Sequence, residues 1–567
     1  MNFLHLLNQP IVQYTLLLYI TWIIILITNI FMKDQRSTSP DNSKPILTTL
    51  ILAYVIGFLF LTNKSLLHIF PIFNSIILGL TTWLILSTNT NDKSTNKLLL
   101  LLVLLINLIP YTIVSIYNSY PLGDDVRFTA GFAAAISENG RWVPFKYFEN
   151  DYYQLFDAEP ALTYMLVSVM GAPLLNVPVY YLLLKYALYI TYLLSVYLII
   201  VNYTHSRKAA YLALTLFSIT PPLSLTEIVA QGVSIILALM TLAILPRIKG
   251  SINKAVLLGV LSFIGVVFHA TYILVMIAFL IPILLRNNIL PQSTLKDSLV
   301  IPTLVGLGYW ALTYAGIAVF EGLPSSITNF INLILGLERP YSTAWTPWYS
   351  LGTQQFLISW ALVPAAGAAM LTYSIIKKTI NYLKRNQDTK LNYIELMGLL
   401  GIVGTVINFF ARQSTWLGGR YFYWLYLLIL IYVAYHTATK MKRNIAIIAV
   451  IMTVISIIGL YAIQDPTHSA NTFTLGIGWA NNYSWQATEI IAQALPTNTA
   501  LISDPRIGTP LFLYSFTYNI NITGPQKGQP YLIAIGLDKI GQEIFTPNSS
   551  ANIAFKFSRT YEVIYEP

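Results

Sequence analysis

Residues 120–160 read YPLGDDVRFTAGFAAAISENGRWVPFKYFENDYYQLFDAEP. This stretch, called the acidic segment here, carries seven of the 23 Asp and Glu residues of the chain. Long apolar runs such as 98–117 and 179–201 stand on either side of it. A run of about 20 apolar residues can cross about 30 Å of hydrocarbon as a helix. The pattern therefore predicts an α-helical polytopic membrane protein in which the acidic segment is a long polar loop between spans.

The composition excludes an ordinary soluble domain. Of the 567 residues, 56% are hydrophobic and 10% are charged, whereas charged residues make up about 25% of a typical soluble domain. The absence of cysteine rules out disulfides, thiolate metal ligands and cysteine nucleophiles. The formal charge of +10 comes from basic residues scattered through short connections, a placement that favours membrane orientation over nucleic-acid binding.

We predict about 14 transmembrane helices from the lengths of the apolar runs. The spans cover residues 11–32, 46–62, 70–87, 98–118, 178–202, 208–225, 228–245, 255–268, 270–285, 298–320, 353–376, 392–411, 421–439 and 444–463. The adjacent pair 255–268 and 270–285 is short for two crossings, so it is either two spans or a re-entrant hairpin.

The basic residues predict which way the chain faces. Twenty of the 33 Lys and Arg residues fall in alternate connections between the spans. Because positive residues concentrate on the cytoplasmic side, those connections are expected to be cytoplasmic. This orientation, for a multi-pass protein of the plasma membrane, puts the N-terminus, the acidic segment and the chain after Ile463 outside the cytoplasm.

The composition divides the chain into three regions. Residues 1–97 hold additional transmembrane helices with few ionisable groups, to which we assign scaffolding or partner contact. Residues 98–463 form the main bundle, with the external loop 119–160. Residues 464–567 contain the short segments ALISD, NINIT, YLIAIG and YEVIY, which predict strands of a small extracytoplasmic α/β domain.

Asp124 and Asp125 are the first candidates for chemistry. They follow a span and precede a helical pattern in which Phe128, Phe132 and Ile136 share one face. This order places two carboxylates at the start of an amphipathic helix at the membrane surface. The alternative is helix capping, for which Asp is favoured. Capping explains one carboxylate more easily than two adjacent ones, because neighbouring like charges repel unless a cation uses them.

The same predicted face offers further acids and arginines. Asp157 and Glu159 precede Pro160 and a short apolar stretch, so they either bind substrate near the headgroups or cap a helix. Arg420 follows two glycines just before a span, and Arg412 lies earlier in the same connection. Arginine can grip a phosphate with two parallel hydrogen bonds, although an ordinary interfacial anchor gives the same pattern.

Three isolated ionisable residues complete the candidates. Lys185 lies inside a span, where it must reach outward or pair with an acid. His269 stands at the junction of the two short spans, as a hydrogen-bonded interfacial residue or a contact to a sugar hydroxyl or phosphate. Glu227 follows the outer connection TPPLSLT.

The arrangement resembles the membrane-embedded glycosyltransferases of the GT-C fold, especially prokaryotic, archaeal members. The resemblance covers roughly residues 98–567. It rests on GDDVRF at the start of an outward loop, the juxtamembrane Glu159-Pro160, the outer pair Arg420-Tyr421 before a late span, and a small external C-terminal domain. It implies that an acid of the first external loop is the catalytic base, a role that falls on Asp124, with Asp125 beside it.

The resemblance also implies a donor in which a sugar is carried on a polyprenyl, often dolichyl, phosphate. The expected reaction is transfer of a hexosyl or pentosyl group to a hydroxyl of a glycan, lipid or protein acceptor at the outer membrane face. Arg420 and Tyr421, with Lys185, His269, Glu159, Asp157, Arg412 and Glu227, would bind substrate. No cofactor is required, and no protein metal site is expected, although Mg²⁺ or Mn²⁺ could bridge the two aspartates and the phosphate. The Trp-Trp-Asp-Tyr-Gly motif of oligosaccharyltransferases is absent, which disfavours transfer of a whole oligosaccharide to asparagine.

Two other classes of function remain open. A lipid or solute transporter would place functional charges near the middle of the bilayer and often repeat its halves; the sequence contains no such repeat. A non-catalytic membrane subunit would use the acidic segment as a docking surface.

Overall fold

The computed structural model describes the helical part of the chain in eleven stretches and the C-terminal part in five strands. These are residues 43–61, 70–88, 92–117, 177–219, 230–248, 250–286, 291–312, 351–385, 391–412, 422–440, 445–464, 499–503, 522–523, 531–536, 552–557 and 561–566, with single positions between 324 and 335 and at 491 and 493.

Thirteen helices lie in these stretches. They are α1 (Ser43–Leu61), α2 (Phe70–Ser87), α3 (Lys93–Tyr117), α4 (Val177–Thr204), α5 (Arg207–Ile219), α6 (Ala230–Ile244), α7 (Ser251–Phe268), α8 (Thr271–Arg286), α9 (Gln292–Leu312), α10 (Leu351–Arg385), α11 (Tyr393–Arg412), α12 (Phe422–Lys440) and α13 (Ile445–Gln464). Each overlaps a predicted span, and the first predicted span, 11–32, lies outside the described residues. The largest extension is in α10, which continues to Arg385 because KKTINYLKR contains neither Gly nor Pro to end it.

Two described helices are long and apolar enough to cross a membrane by length and composition. The qualifying stretches are Lys93–Pro110 in α3 and Tyr186–Thr204 in α4. Seven other described helices contain shorter apolar stretches of 10–17 residues. The helical character of the chain is thus clear, and the number of crossings stays a prediction.

Helix ends that the charge pattern assigns to the cytoplasm meet in the structure. The Lys208 ammonium, at the start of α5, donates to the Leu86 carbonyl at the end of α2 (3.0 Å). The Tyr211 hydroxyl donates to the Asn96 carbonyl near the start of α3 (2.8 Å). These bonds join two consecutive predicted cytoplasmic connections, the one between α2 and α3 and the one between α4 and α5, at one end of the bundle, called the basic end here.

Later helices reach the same end. The Asn202 amide, at the end of α4, donates to the Ala243 carbonyl at the end of α6 (2.7 Å). The Tyr393 hydroxyl, at the start of α11, donates to the Tyr203 carbonyl. The alternation of helix direction predicted from charge therefore matches the packing, although the side of the membrane that the basic end faces is not determined by these contacts.

Helix α5 is the centre of the bundle. All ten residues from Ala209 to Ser218 are buried, and the helix packs against α2, α3, α4, α12 and α13. Alanines at 209, 210 and 213 have no bulk to hold neighbours away, and Phe217 fills the space between α4 and α5, with its ring 4.9 Å from that of Tyr192. A helix that is apolar on every side is expected in such a position.

The short pair of spans is resolved into two helices. Helix α7 ends at Phe268, α8 begins at Thr271, and only two residues lie between them. A methyl group on Gly265 would lie 2.1 Å from the Tyr272 ring, so a glycine is needed for the helices to approach. At 18 and 16 residues, the helices are about 27 and 24 Å long.

The first helices belong to the same core as the last one. Helix α2 packs extensively on α13, and the Ser75 hydroxyl donates to the Ser456 hydroxyl (2.9 Å). A methyl on Gly79 would fall 1.9 Å from the Thr453 hydroxyl. Small and hydroxyl residues at this contact allow close helix approach, so these N-terminal helices are integrated into the bundle.

The C-terminal strands form one mixed sheet in the order β2-β1-β3-β5-β4. Its members are β1 (Thr499–Ser503), β2 (Ile522–Thr523), β3 (Tyr531–Gly536), β4 (Asn552–Phe557) and β5 (Tyr561–Glu566). Strand β1 pairs in parallel with β2 and β3, while β5 is antiparallel to β3 and β4. The four strand segments predicted from sequence are confirmed, and β4 was missed although NIAFKF alternates in polarity.

Candidate functional site

Most of the residues singled out from the sequence lie outside the part of the chain that the structure describes. Asp124, Asp125, Asp157, Glu159, Glu227, Arg420 and Tyr421 lie outside the described residues. Lys185 and Arg412 lie in α4 and α11, whose backbones are described there without their side chains. Their proposed roles stay predictions, and the structure bears on them through the helices that hold them.

The two helices that flank the acidic segment are held together. Helix α3 ends at Tyr117 and α4 begins at Val177, so residues 118–176 connect their ends. The Tyr186 hydroxyl of α4 donates to the Thr112 hydroxyl of α3 (3.2 Å). Deeper in the same pair, the Tyr189 hydroxyl lies 3.4 Å from Asn107 Oδ1. The connection 118–176, which contains the acidic segment, therefore begins and ends on two helices that are bonded to each other.

The connection 413–421, which follows Arg412 and contains Arg420, is also flanked by two helices that pack against each other. Helices α11 and α12 run on either side of residues 413–421 and pack closely against each other. A methyl on Gly398, Gly401 or Gly404 would lie 2.6–2.7 Å from side-chain atoms of α12. Glycines at intervals of three let the two backbones approach. Arg412 and the Arg420-Tyr421 pair are consequently carried by the ends of a tightly packed helix pair.

Helix α5 lies between these two helix pairs, α3 with α4 and α11 with α12. It packs against α3 and α4 on one side and against α12 on another. Since α3, α11 and α5 all begin at the basic end, the acidic segment and the connection 413–421 both emerge at the opposite end, called the outer end here. The connections that hold the predicted site residues therefore begin at one end of the bundle, on helix pairs that lie on different sides of α5.

His269 is the one candidate whose surroundings are described. Its Nδ1 accepts a hydrogen bond from the Thr271 backbone N–H (3.1 Å) and lies 2.7 Å from the Thr271 hydroxyl. Its carbonyl accepts a hydrogen bond from the Ser234 hydroxyl of α6 (2.8 Å). Because a backbone N–H can only donate, Nδ1 is an acceptor and the neutral ring carries its proton on Nε2.

These contacts give His269 a structural role. The residue terminates α7 in an extended conformation, and its ring caps the first turn of α8. This is the hydrogen-bonded alternative weighed from the sequence. The junction lies at the outer end, as Arg412 does, because α8 packs against α11 and both helices run between the two ends.

A buried ion pair at the basic end escaped the sequence analysis. The Lys378 ammonium of α10 donates to the Glu395 carboxylate of α11, which is 1% exposed. The same carboxylate accepts from the Ser374 hydroxyl (2.8 Å) and from the Asn392 N–H (2.9 Å). Asn392 in turn accepts from the Glu395 N–H (2.9 Å), which completes a reciprocal cap. The signal was the sequence Asn-x-x-Glu before an apolar run.

A second ion pair closes the start of α3. Asp92 Oδ2 accepts hydrogen bonds from the Thr95 hydroxyl (2.7 Å) and the Thr95 N–H (2.9 Å), and the Lys44 ammonium lies 3.5 Å away. These hydrogen bonds, the Thr95 hydroxyl first, lower the pKa of the Asp92 carboxyl to about 2. The pair is exposed, so it orients helix ends more than it stabilises the fold.

Within the described stretches, the interior of the bundle contains neutral polar groups. Asn107 of α3 donates to the Val103 and Leu214 carbonyls (2.8 and 3.1 Å). The Tyr192 hydroxyl, also buried, has no hydrogen-bond partner among the described residues. No group of three His, Asp or Glu side chains in that part of the chain could hold a metal ion. The described core thus contains polar contacts between helices, and Glu395, paired with Lys378 at the basic end, is the acid buried in it.

Comparisons with known proteins return structures and no sequence relatives. No protein-family model matches the sequence, and no curated protein matches it. Crystal structures of the Archaeoglobus fulgidus oligosaccharyltransferase, in the apo form and tethered to an acceptor peptide containing the NVT sequon, are similar at 13% and 12% identity, with TM-scores of 0.43 and 0.41. The archaeal oligosaccharyltransferase AglB from the same organism, in complex with an inhibitory peptide and a dolichol-phosphate, is similar at 12% identity and a TM-score of 0.45.

The similarity covers 80–82% of this chain and 64–65% of those chains. The chain therefore spans somewhat less than two thirds of the length of the solved structures it resembles. At such identities and TM-scores, the similarity does not assign the peptide substrate or the lipid of those proteins to this chain.

Proposed function

We propose that this chain is a multi-pass membrane glycosyltransferase that moves a single sugar from a polyprenyl phosphate to a hydroxyl of a glycan, lipid or protein. One observation carries the proposal. The acidic segment and the connection 413–421 leave the bundle at the same end, from helix pairs that both pack against α5. A carboxylate and a guanidinium can act on one substrate only if the segments that carry them start at the same end of the bundle.

A carboxylate of the acidic segment acts as the general base. Asp124, assisted by Asp125, would take the proton from the acceptor hydroxyl as that oxygen attacks the anomeric carbon of the donor. The bond between the anomeric carbon and the phosphate oxygen then breaks, and the polyprenyl phosphate leaves. A positioned carboxylate contributes about 10²–10⁴-fold to such a step.

The arginine stabilises the leaving group. Negative charge accumulates on the lipid phosphate in the transition state, and Arg420 can meet it with two parallel hydrogen bonds. Tyr421, next to it, would sit at the headgroup level with its hydroxyl toward water. The site would lie at the membrane–water boundary, where a lipid-bound donor and a water-soluble acceptor can meet. A divalent cation between the two aspartates and the phosphate is compatible with this chemistry.

The test compares variants in a deletion strain. Mass spectrometry of glycans and lipid-linked sugars should show a glycan shortened by one sugar and an accumulated polyprenyl phosphate sugar. The wild-type chain should restore the glycan, while Asp124→Asn and Arg420→Gln should restore at least 100-fold less, as expected for loss of a base or a phosphate contact. Asp92→Asn, at the basic end, is the matched control and should restore it fully.

The outcome separates the proposal from its rivals. If Asp124→Asn inserts normally and restores the glycan, the enzyme assignment fails and a docking role for the acidic segment is favoured. Purified protein that releases polyprenyl phosphate from a donor in detergent, where no membrane separates two compartments, would exclude a transporter.

A further inference from the structure

Helices α7 and α9 lie side by side and run in the same direction. Near their starts, the Lys254 ammonium of α7 donates to the Thr294 hydroxyl of α9 (3.1 Å). Further along, the rings of Phe263 and Tyr309 meet edge to face with centroids 6.0 Å apart. Helix α8 packs against both. The pair therefore presents a two-helix face on the outside of the bundle, with both starts at the basic end.

This face is apolar and uncovered by the described part of the chain. Val256 and Leu304 are 61% and 63% exposed. Open space surrounds two glycines, because a methyl on Gly259 or Gly308 would meet no atom within 4 Å. The exposed apolar side chains of the face are Ile252, Val256, Val260, Phe263 and Ile264 on α7 and Val300, Leu304 and Leu307 on α9. From residue 252 to residue 264 the face of α7 is about 18 Å long, close to one leaflet of a bilayer about 30 Å thick.

The charge on this face is concentrated at one end. Lys254 and Lys296 lie in the first turns of α7 and α9, and Arg286 ends α8 beside them in the chain. Among the described residues, none of these three cations is within ion-pair distance of a carboxylate, since the ion pairs found there involve Lys44 and Lys378. Asp297 is the one acid in these first and last turns. Helix starts add further positive potential.

We propose that the α7–α9 face binds an anionic phospholipid. One acyl chain would lie along the open strip beside Gly259 and Gly308, and the phosphate would meet Lys254, Lys296 and Arg286. An apolar strip of one-leaflet length with cations only at its basic end matches a lipid with a charged headgroup. A protein partner would gain little binding energy from cations that lie only at one end of the face. The inference rests on the membrane placement in the proposed function, and it does not depend on the transfer chemistry.

The experiment uses the purified full chain in a neutral detergent. Thermal unfolding is measured with added phosphatidylglycerol or phosphatidylcholine, and retained lipid is counted by native mass spectrometry. For the wild type we expect a larger rise in melting temperature with phosphatidylglycerol than with phosphatidylcholine, and a retained phosphatidylglycerol. The triple variant Lys254→Gln, Arg286→Gln, Lys296→Gln should lose most of the difference and bind the lipid at least tenfold more weakly.

Two further variants make the result specific. The matched control removes three exposed cations elsewhere at the basic end, by Lys93→Gln, Lys97→Gln and Lys377→Gln, and should keep the phosphatidylglycerol effect. At Gly259, where a methyl would meet open space, Gly259→Leu fills the open strip and should weaken retention, while its melting temperature in detergent should be no lower than that of the wild type. Equal stabilisation by both lipids, or equal loss in the control triple, would overturn the proposal. Either result would leave glycan transfer unaffected, so the two proposals fail separately.

Discussion

Lys378 of α10 donates a hydrogen bond to the buried carboxylate of Glu395 on α11. This pair joins the end of the long helix α10 to the start of the helix that carries Arg412. If Lys378→Met removes the ammonium, the Glu395 charge stays buried with only the Ser374 and Asn392 hydrogen bonds. We expect a loss of about 3 kcal/mol in the free energy of unfolding, measured by denaturant unfolding in detergent micelles.

The double variant Lys378→Met, Glu395→Gln should recover much of that loss, because no uncompensated charge remains. Lys377→Met, at the neighbouring exposed position, is the control and should change the free energy by less than about 0.5 kcal/mol. Equal effects of the two methionine variants would show that Glu395 does not depend on its partner.

Sequence reasoning missed this pair for a physical reason. The lysines of 377–390 formed the largest group of cations in one connection, and their charge explained membrane orientation without any partner. The predicted span ended at residue 376, where the apolar run ends, so the continuation of α10 that carries Lys378 to α11 was not predicted. Burial of a carboxylate depends on which helices pack together, and the apolar pattern of a single helix does not contain that information.

The glycines of α11 and α7 predict opposite effects of the same substitution. A methyl on Gly401 would lie 2.7 Å from Ile429 Cγ1 and 3.0 Å from the Leu425 carbonyl. Gly401→Ala should therefore force α11 and α12 apart and cost about 1–3 kcal/mol. Gly259→Ala meets open space and should stabilise the chain by about 0.5–1 kcal/mol, the helix preference of alanine over glycine. The melting temperatures of both variants in detergent check the pair, and a fall in both would contradict the packing of α7.

The start of α3 predicts a limited acid sensitivity. The folded-state pKa of Asp92, about 2, lies below the ordinary value of 3.8. Its carboxylate therefore contributes stability above pH 3.8 that is lost as the pH falls toward 2. We expect the melting temperatures of wild type and Asp92→Asn to converge over this interval and to differ by a constant amount above it. A difference that is unchanged down to pH 2 would show that Asp92 is not held by Thr95 and Lys44.

The helices were easier to predict than the site. Apolar runs and alternate basic connections were enough to place thirteen helices and their directions, because the cost of burying charge and the hydrogen bonding of the backbone act locally. Strand β4 shows where local patterns are not enough. Its residues Asn552–Phe557 alternate in polarity, but the strand contains a bulge between Ile553 and Phe555. The proposed chemistry of Asp124 and Arg420 depends on residues far apart in sequence, and such pairs are not specified by any single segment.

Substitutions of His269 distinguish a role in capping α8 from a contact to substrate. If its ring only caps α8, His269→Asn should keep an acceptor for the Thr271 N–H and retain stability, while His269→Ala should lose about 1 kcal/mol. Glycan transfer in the complemented deletion strain should then be near wild type for both variants at a permissive temperature. If transfer falls at least tenfold in His269→Asn while its melting temperature is unchanged, the ring contacts substrate, and the junction of α7 and α8 becomes part of the site at the outer end.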